Sequence, residues 1–177
     1  MKGFIVGFIL GVLIIPAVGY YYFTSGKAPV ATSAAPMPLE RRFARAALHA
    51  TLNQEAPKTP PINVDDAALA AGARVYRANC AMCHGLPGQA IPAVAKGMFP
   101  PPPQLFQPDE MVTDDPPGVT FWKAKNGIRL TGMPGFHDSL SDLQLWQVSI
   151  LLARADKLPP SVQQILASPP PDWNPSK

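Results

Sequence analysis

The only two cysteines of the chain, Cys80 and Cys83, stand beside His84 in the sequence Cys-Ala-Met-Cys-His. Two cysteines this close together cannot form the disulfide framework that holds small secreted domains together. Their spacing suits two thiols within about one helical turn that bind the two vinyl groups of one porphyrin, and the adjacent imidazole then lies under the iron. The motif therefore predicts one covalently attached c-type haem.

Other roles for this cysteine pair find less support in the sequence. A thioredoxin-type pair accompanies alternating strands and helices, and a structural zinc site needs further cysteine or histidine ligands at matching spacing. The chain shows neither pattern. Its formal net charge is only +3, and its basic residues are scattered along the chain, so we expect no nucleic-acid partner.

The N-terminal residues 3–23 form an uncharged apolar run. About 20 such residues in a helix cross a hydrocarbon core of about 30 Å. We expect residues 1–24 to be a transmembrane anchor or uncleaved signal, with a cleaved signal peptide as the alternative. Each predicts export, which agrees with the haem motif because c-type haem is attached outside the cytoplasm. The anchor predicts a single-pass inner-membrane protein with its haem domain in the periplasm.

The chain has 23 prolines, and many of these must lie outside regular helices. Residues 25–63 are rich in proline and alanine with little to bury, which predicts a tether. Within it, residues 39–53 could form a short amphipathic helix, either solvated or disordered, or docked on another surface. Residues 159–177 are expected to form a proline-rich tail. The haem domain is then expected at residues 64–158.

Three helices are predicted within this domain, and no strand pattern of note is present. Residues Asp65–His84 open with aspartates suited to a helix N-terminus and continue with good helix formers. Residues 118–126 predict a short helix in which Trp122 packs in the core or, alternatively, conducts electrons. Residues 139–155 show the clearest amphipathic spacing, with Ser139 as the expected N-cap.

The chain resembles the class I (monohaem) cytochromes c, in a membrane-anchored bacterial form. The likeness rests on the Cys80–His84 motif and on Gly132-Met133-Pro134, and it covers about Asp65 to Leu158. Further matches are Gly72, Tyr76, Gly85 and Gly88. The resemblance implies a small all-α domain of about three to five helices around one haem, with the N-terminal transmembrane helix outside the matched region.

The same resemblance implies the iron ligands. His84 is the proximal ligand, and the distal ligand in that family is usually a methionine before a proline, which implies Met133. The residues around Met133 agree, because the flanking glycines let the backbone approach a flat ligand and Pro134 limits the freedom of the loop. Met98, Met111 and His137 remain as alternatives.

Two packing features follow from the resemblance as well. The first and last helices are expected to cross at Gly72, with Trp146 against it. The prolines of residues 100–103 resemble a loop beside the haem edge, although a surface spacer is the alternative reading of the same residues.

An iron with both axial positions filled has no open site for oxygen or peroxide chemistry. The sequence therefore predicts one-electron transfer rather than catalysis, as a carrier or as a cytochrome subunit of a respiratory complex. Its expected partners are a membrane donor and an oxidase or reductase acceptor. The alternative is a haem enzyme or gas sensor with an open sixth position on the iron.

Overall fold

The computed structural model describes residues 2–168, and in that range the chain forms helices and loops without strands. The predicted all-α fold is confirmed, and five of the helices, α3 to α7, fall within the expected domain of residues 64–158. The chain divides into two compact units, with the boundary between Ala44 and Arg45. The helices are α1 (Lys2–Thr24), α2 (Glu40–Glu55), α3 (Asp66–Asn79), α4 (Ala81–His84), α5 (Ala93–Lys96), α6 (Pro117–Asn126), α7 (Asp142–Leu152) and α8 (Pro160–Ala167).

The first unit contains α1, whose residues Gly3–Thr24 have a mean hydropathy of 2.3. By length and composition this helix could cross a membrane, and a signal sequence near an N-terminus has the same properties. Its large apolar side chains, such as Phe4 and Ile15, are exposed. A helix that is apolar on all sides is stable where lipid or other apolar groups surround it.

The main core of the second unit lies between α3, α7 and α8. At its centre α3 crosses α7 at Gly72, where an added Cβ would collide with the backbone carbonyl of Gln147 and lie 3.1 Å from the Cβ of Leu151. The predicted crossing at Gly72 is therefore present. Trp146 is not its partner, because successive residues of a helix point about 100° apart and Trp146 faces another side of α7.

A second apolar cluster lies between α6 and α7. Trp146 stacks there on Phe121, with 4.2 Å between ring centroids and 16° between ring planes. Trp122, predicted as a core residue, is only half-buried, and its indole Nε1–H donates to the Glu55 carboxylate at 2.9 Å. Phe121 thus occupies the core position of α6, and Trp122 joins α6 to the end of α2.

Helix α7 begins later than predicted. Ser141, not Ser139, is its N-cap: the Ser141 hydroxyl accepts from the Gln144 N–H, and the Gln144 side chain accepts from the Ser141 N–H at 2.9 Å. Ser139 instead donates its N–H to the Phe136 carbonyl in the preceding turn. The reciprocal capping box satisfies two helix-end donors at once, which explains why the helix begins after Ser141.

The second unit extends further toward the N-terminus than the expected domain. Residues 39–53, predicted as a possible helix, lie almost entirely in α2, and Leu52 near its end is buried. Ile62 packs on the second cluster, and the Gly118 Cα lies so close to the Pro57 carbonyl that a Cβ would overlap it. Residues 52–62 were expected in the tether, but they pack against the domain because they carry these apolar contacts.

The C-terminal boundary also differs from the prediction. Residues 160–167 were assigned to a proline-rich tail, yet they form α8, with Val162 and Leu166 fully buried in the main core. Pro160 occupies the first helical position, where its missing N–H costs no hydrogen bond and its fixed φ suits a helix. The rest of the predicted tail, residues 169–177, lies outside the described residues.

Candidate haem site

The Cys-x-x-Cys-His motif forms a single helical turn at the end of α3. Asp65 caps the start of α3 by accepting from the Ala68 N–H at 2.8 Å, as its sequence predicts. The Cys80 carbonyl accepts from the N–H groups of Cys83 and His84, at 3.1 Å and 2.9 Å. The turn thus brings the two thiols and the imidazole together on one short piece of backbone.

Both thiols are free and partly buried. Burial, and then the neighbouring Cys83, raises the pKa of the Cys80 thiol to about 12. Cys80 is therefore a neutral thiol at physiological pH in the haem-free chain. Two partly buried thiols one turn apart suit covalent attachment to an apolar ring.

The His84 ring is held in one orientation. Its Nδ1 lies 2.8 Å from the Pro103 carbonyl oxygen, which can only accept, so Nδ1 carries the proton and donates. The Nε2 lone pair is then directed away from this bond and is available to a metal. Burial lowers the pKa of His84, opposed by the bond to Pro103, and this keeps the imidazole in the neutral form that binds iron.

Tyr76 holds the backbone that follows the motif. This fully buried phenol donates to the Gly85 carbonyl at 2.8 Å and lies 3.1 Å from the His84 carbonyl. Burial, and then Cys80, raises the pKa of Tyr76, so its hydroxyl remains a donor. The ring of Phe106 packs edge-on against it, at 5.1 Å between centroids. Tyr76 therefore joins α3 to the turn that presents His84.

We expect Tyr76→Phe to lower the unfolding free energy of the holoprotein by about 1–2 kcal/mol, because one buried and one partly buried carbonyl lose their donor. Urea unfolding followed by haem absorbance measures the change. Ser139→Ala removes an exposed hydroxyl and should cost less than about 0.5 kcal/mol. Equal stability of the Tyr76 variant and the wild type would contradict this role.

Met133 lies half-buried in the loop that follows α6. The loop is closed by hydrogen bonds of Met133 itself: its carbonyl accepts from the Ile128 N–H at 3.2 Å, and its N–H donates to the Thr131 hydroxyl at 3.1 Å. Gly127, with φ of 71°, lies against Pro134 and Gly135, so that an added Cβ would clash with their backbone. The loop thus presents the thioether from a fixed backbone.

The other candidate ligands have different surroundings. Met98 packs against the same loop, since a Cβ on Gly132 would collide with its methyl group. Met111 instead lines a cavity of about 240 Å³ with Phe106 and Leu166. His137 is exposed, with Nδ1 3.2 Å from the Lys125 carbonyl and Nε2 3.1 Å from Asp138. Met98 therefore lies against the residue that precedes Met133, which the sequence did not indicate.

The proline-rich loop contacts both sides of this candidate site. This loop comprises residues 98–104. At its start Met98 touches Gly132 in the loop that carries Met133, and near its end the Pro103 carbonyl accepts from His84 Nδ1. The next residue, Gln104, is buried, and its amide donates to the Cys83 carbonyl at 3.2 Å. These contacts favour the wall of a haem pocket over a surface spacer. Sequence analysis missed Gln104, because its role depends on a contact with residues about twenty positions away.

The residues present fit a haem. His84 offers its Nε2, two thiols stand one turn apart, and exposed apolar side chains occur on the Cys80–His84 turn, on α5 and on the loop that carries Met133. Those side chains are Met82, Val94 and Leu130, of which Leu130 is 94% exposed. Within residues 2–168 no separate group of three or more His, Cys, Asp or Glu side chains is placed to hold a metal ion.

A strand-free domain in which a Cys-x-x-Cys-His turn presents a neutral, oriented histidine belongs to the class of c-type cytochromes. Residues 67–150 match the family model described as cytochrome C oxidase, cbb3-type, subunit III, which covers just under half of the chain and runs from α3 into α7. No curated protein matches the chain. The chain is a monohaem c-type cytochrome with a covalently bound haem, and its domain serves haem-based electron transfer.

Proposed function

We propose that this protein is a membrane-anchored cytochrome that carries single electrons on the periplasmic side of the inner membrane, as a carrier or as the cytochrome subunit of a respiratory complex. The observation that carries the proposal is the hydrogen bond from His84 Nδ1 to the Pro103 carbonyl, which leaves Nε2 for iron. The matched family, described as an oxidase subunit, supports the respiratory role.

In this proposal four residues hold the haem. Cys80 and Cys83 would hold it through thioethers, formed by adding each S–H across one vinyl group, and His84 and Met133 would bind the iron as its proximal and distal ligands. The bound haem supplies a centre that takes up and releases one electron. In the holoprotein the chain would orient the imidazole, partly bury the attachment turn (residues 80–84) and place Met133 at the sixth iron position, so that no site on the iron would be open to oxygen or peroxide.

The location rests on α1 and on the haem. An apolar helix of this length suits an anchor, and c-type haem is attached outside the cytoplasm. Residues 25–39 separate α1 from α2. A segment of that length spans at most about 50 Å when extended, which keeps the domain close to partners in the same membrane. We infer that these partners are redox proteins, a membrane donor and an oxidase or reductase acceptor.

The absorption spectrum of the oxidised and reduced full-length protein tests this proposal. We expect a weak near-infrared charge-transfer band from methionine sulfur to ferric iron. We also expect that the reduced protein does not bind carbon monoxide. Both results support His84/Met133 ligation and electron transfer. A missing band together with ready carbon monoxide binding would instead favour a haem enzyme or gas sensor with an open sixth position.

A further inference from the structure

Gln104 is a buried polar residue whose bonds reach outside its own segment. The structure buries two uncharged polar residues deeply among those it describes, Gln104 and Ser149. Ser149 donates only to the Leu145 carbonyl of its own helix. Burying an amide costs free energy unless its hydrogen bonds are restored, so the partners of Gln104 explain why it is tolerated.

The Gln104 amide joins two backbone segments of the haem site. Its Nε2 donates to the Cys83 carbonyl at 3.2 Å and to the Pro102 carbonyl at 3.1 Å. Its Oε1 lies over Gly85, where an added Cβ would approach it to 2.5 Å. The side chain therefore connects the attachment turn directly to the proline-rich loop.

The Pro103 carbonyl lies between the points that Gln104 holds. Pro102 accepts from the Gln104 side chain, and the Gln104 backbone N–H donates to the Glu110 carboxylate. The peptide group before Pro103 and the peptide group that contains the Pro103 carbonyl are thus both restrained. Proline has no N–H of its own to fix the loop by backbone pairing, so these side chains take over that task.

We propose that Gln104 is a positioning residue, which holds the Pro103 carbonyl on His84 Nδ1 and thereby sets the reduction equilibrium of the haem. This inference rests on the proposed ligation of iron by His84. A strong bond at Nδ1 makes the imidazole a better donor to the metal. Better donation stabilises the ferric form, so a looser Pro103 carbonyl shifts the equilibrium toward the ferrous form.

The test is Gln104→Leu in the full-length holoprotein. Leucine has a side chain of similar volume, and it cannot form either of the two hydrogen bonds that the Gln104 amide donates. We expect the Nδ1 proton of His84, observed by nitrogen-15 NMR of the diamagnetic ferrous protein, to exchange with solvent at least tenfold faster. The one-electron equilibrium should shift toward the ferrous form by up to about tenfold, which corresponds to about 59 mV. The methionine-to-iron band should remain.

Three further variants complete the design. Ser149→Ala removes the other deeply buried polar side chain and should leave proton exchange and the reduction equilibrium unchanged. Glu110→Ala removes the exposed carboxylate that accepts from the Gln104 N–H. It should shift proton exchange and the reduction equilibrium in the same direction as Gln104→Leu does. It therefore tests the inference even where Gln104→Leu fails to fold. Glu110→Gln keeps an acceptor oxygen and should retain the wild-type values.

Wild-type proton exchange and reduction equilibrium in Gln104→Leu, or in Glu110→Ala where the first variant fails to fold, would overturn the inference. Failure of the proposed function is recognised separately, because it is seen in the wild-type protein as a missing methionine band and as carbon monoxide binding. Where the distal position is open, carbon monoxide fills it and keeps the ferrous protein diamagnetic, so the exchange of the His84 ring proton is measurable in either case.

Discussion

Replacing Met133 with Leu is expected to abolish the near-infrared methionine band, to open the ferrous iron to carbon monoxide and to shift the reduction equilibrium toward the ferric form by more than tenfold. Leucine keeps the volume of the side chain but has no sulfur to offer the metal. A thioether ligand raises the potential of haem iron, so its loss favours the oxidised state. Optical titration against redox mediators and a carbon monoxide difference spectrum measure the three effects.

Met98→Leu is the matched control, because Met98 packs against Gly132 in the same loop. It should keep the band, the exclusion of carbon monoxide and a reduction equilibrium close to that of the wild type. The reverse pattern, with the band lost in the Met98 variant and kept in the Met133 variant, would assign the distal position to Met98. Since both changes preserve shape, the difference between them reports ligation rather than packing.

Gly72→Ala should destabilise the holoprotein by about 3 kcal/mol or more. Alanine is favoured over glycine inside a helix by about 1 kcal/mol, so a change without tertiary contacts would stabilise the chain. At Gly72, however, the new methyl group meets the Gln147 backbone, and a backbone cannot rotate aside as a side chain can. The α3–α7 crossing must widen, and the core that they share loses its packing. Urea unfolding followed by far-ultraviolet circular dichroism measures the loss.

Gly97→Ala provides the comparison. The Cβ added at Gly97 would lie 3.7 Å from the Val94 carbonyl, which is an ordinary contact, and its φ of −92° suits any residue. The stability of this variant should remain within about 0.5 kcal/mol of the wild type. If the Gly72 variant proved as stable as the Gly97 variant, the crossing would tolerate a methyl group and its close approach would not be required.

The features that the sequence predicted well are those in which cause and effect lie a few residues apart. The Cys80–His84 turn, the Asp65 cap and the end of α6 at Gly127 all belong to this group. The N-cap of α7 was also within reach of local reasoning. Ser141 and Gln144 form the capping-box pattern, whereas Ser139 followed by Asp142 lacks the Glu or Gln that the pattern requires.

Other features were predicted less well, because they depend on the rotational position of a residue around its helix or on contacts between residues far apart in the sequence. The crossing at Gly72 was predicted, but a one-residue error around α7 placed Trp146 where Gln147 and Leu151 lie. The prolines of the C-terminal segment led to the prediction of a tail in place of α8. Val162 and Leu166, however, stand four residues apart, as on one face of a helix. The buried position of Gln104 follows from a tertiary contact with Cys83, and no local pattern in the sequence encodes it.

The bonds around the attachment turn have a consequence for the speed of the reaction. Tyr76 holds the carbonyls that follow the motif, and the Pro103 carbonyl holds the His84 ring, so these dipoles are already bonded within the chain. When the charge of the centre changes by one unit, groups that are already bonded rotate little in response. We therefore expect a small reorganisation energy in the holoprotein, and rapid electron exchange even where donor and acceptor differ little in potential.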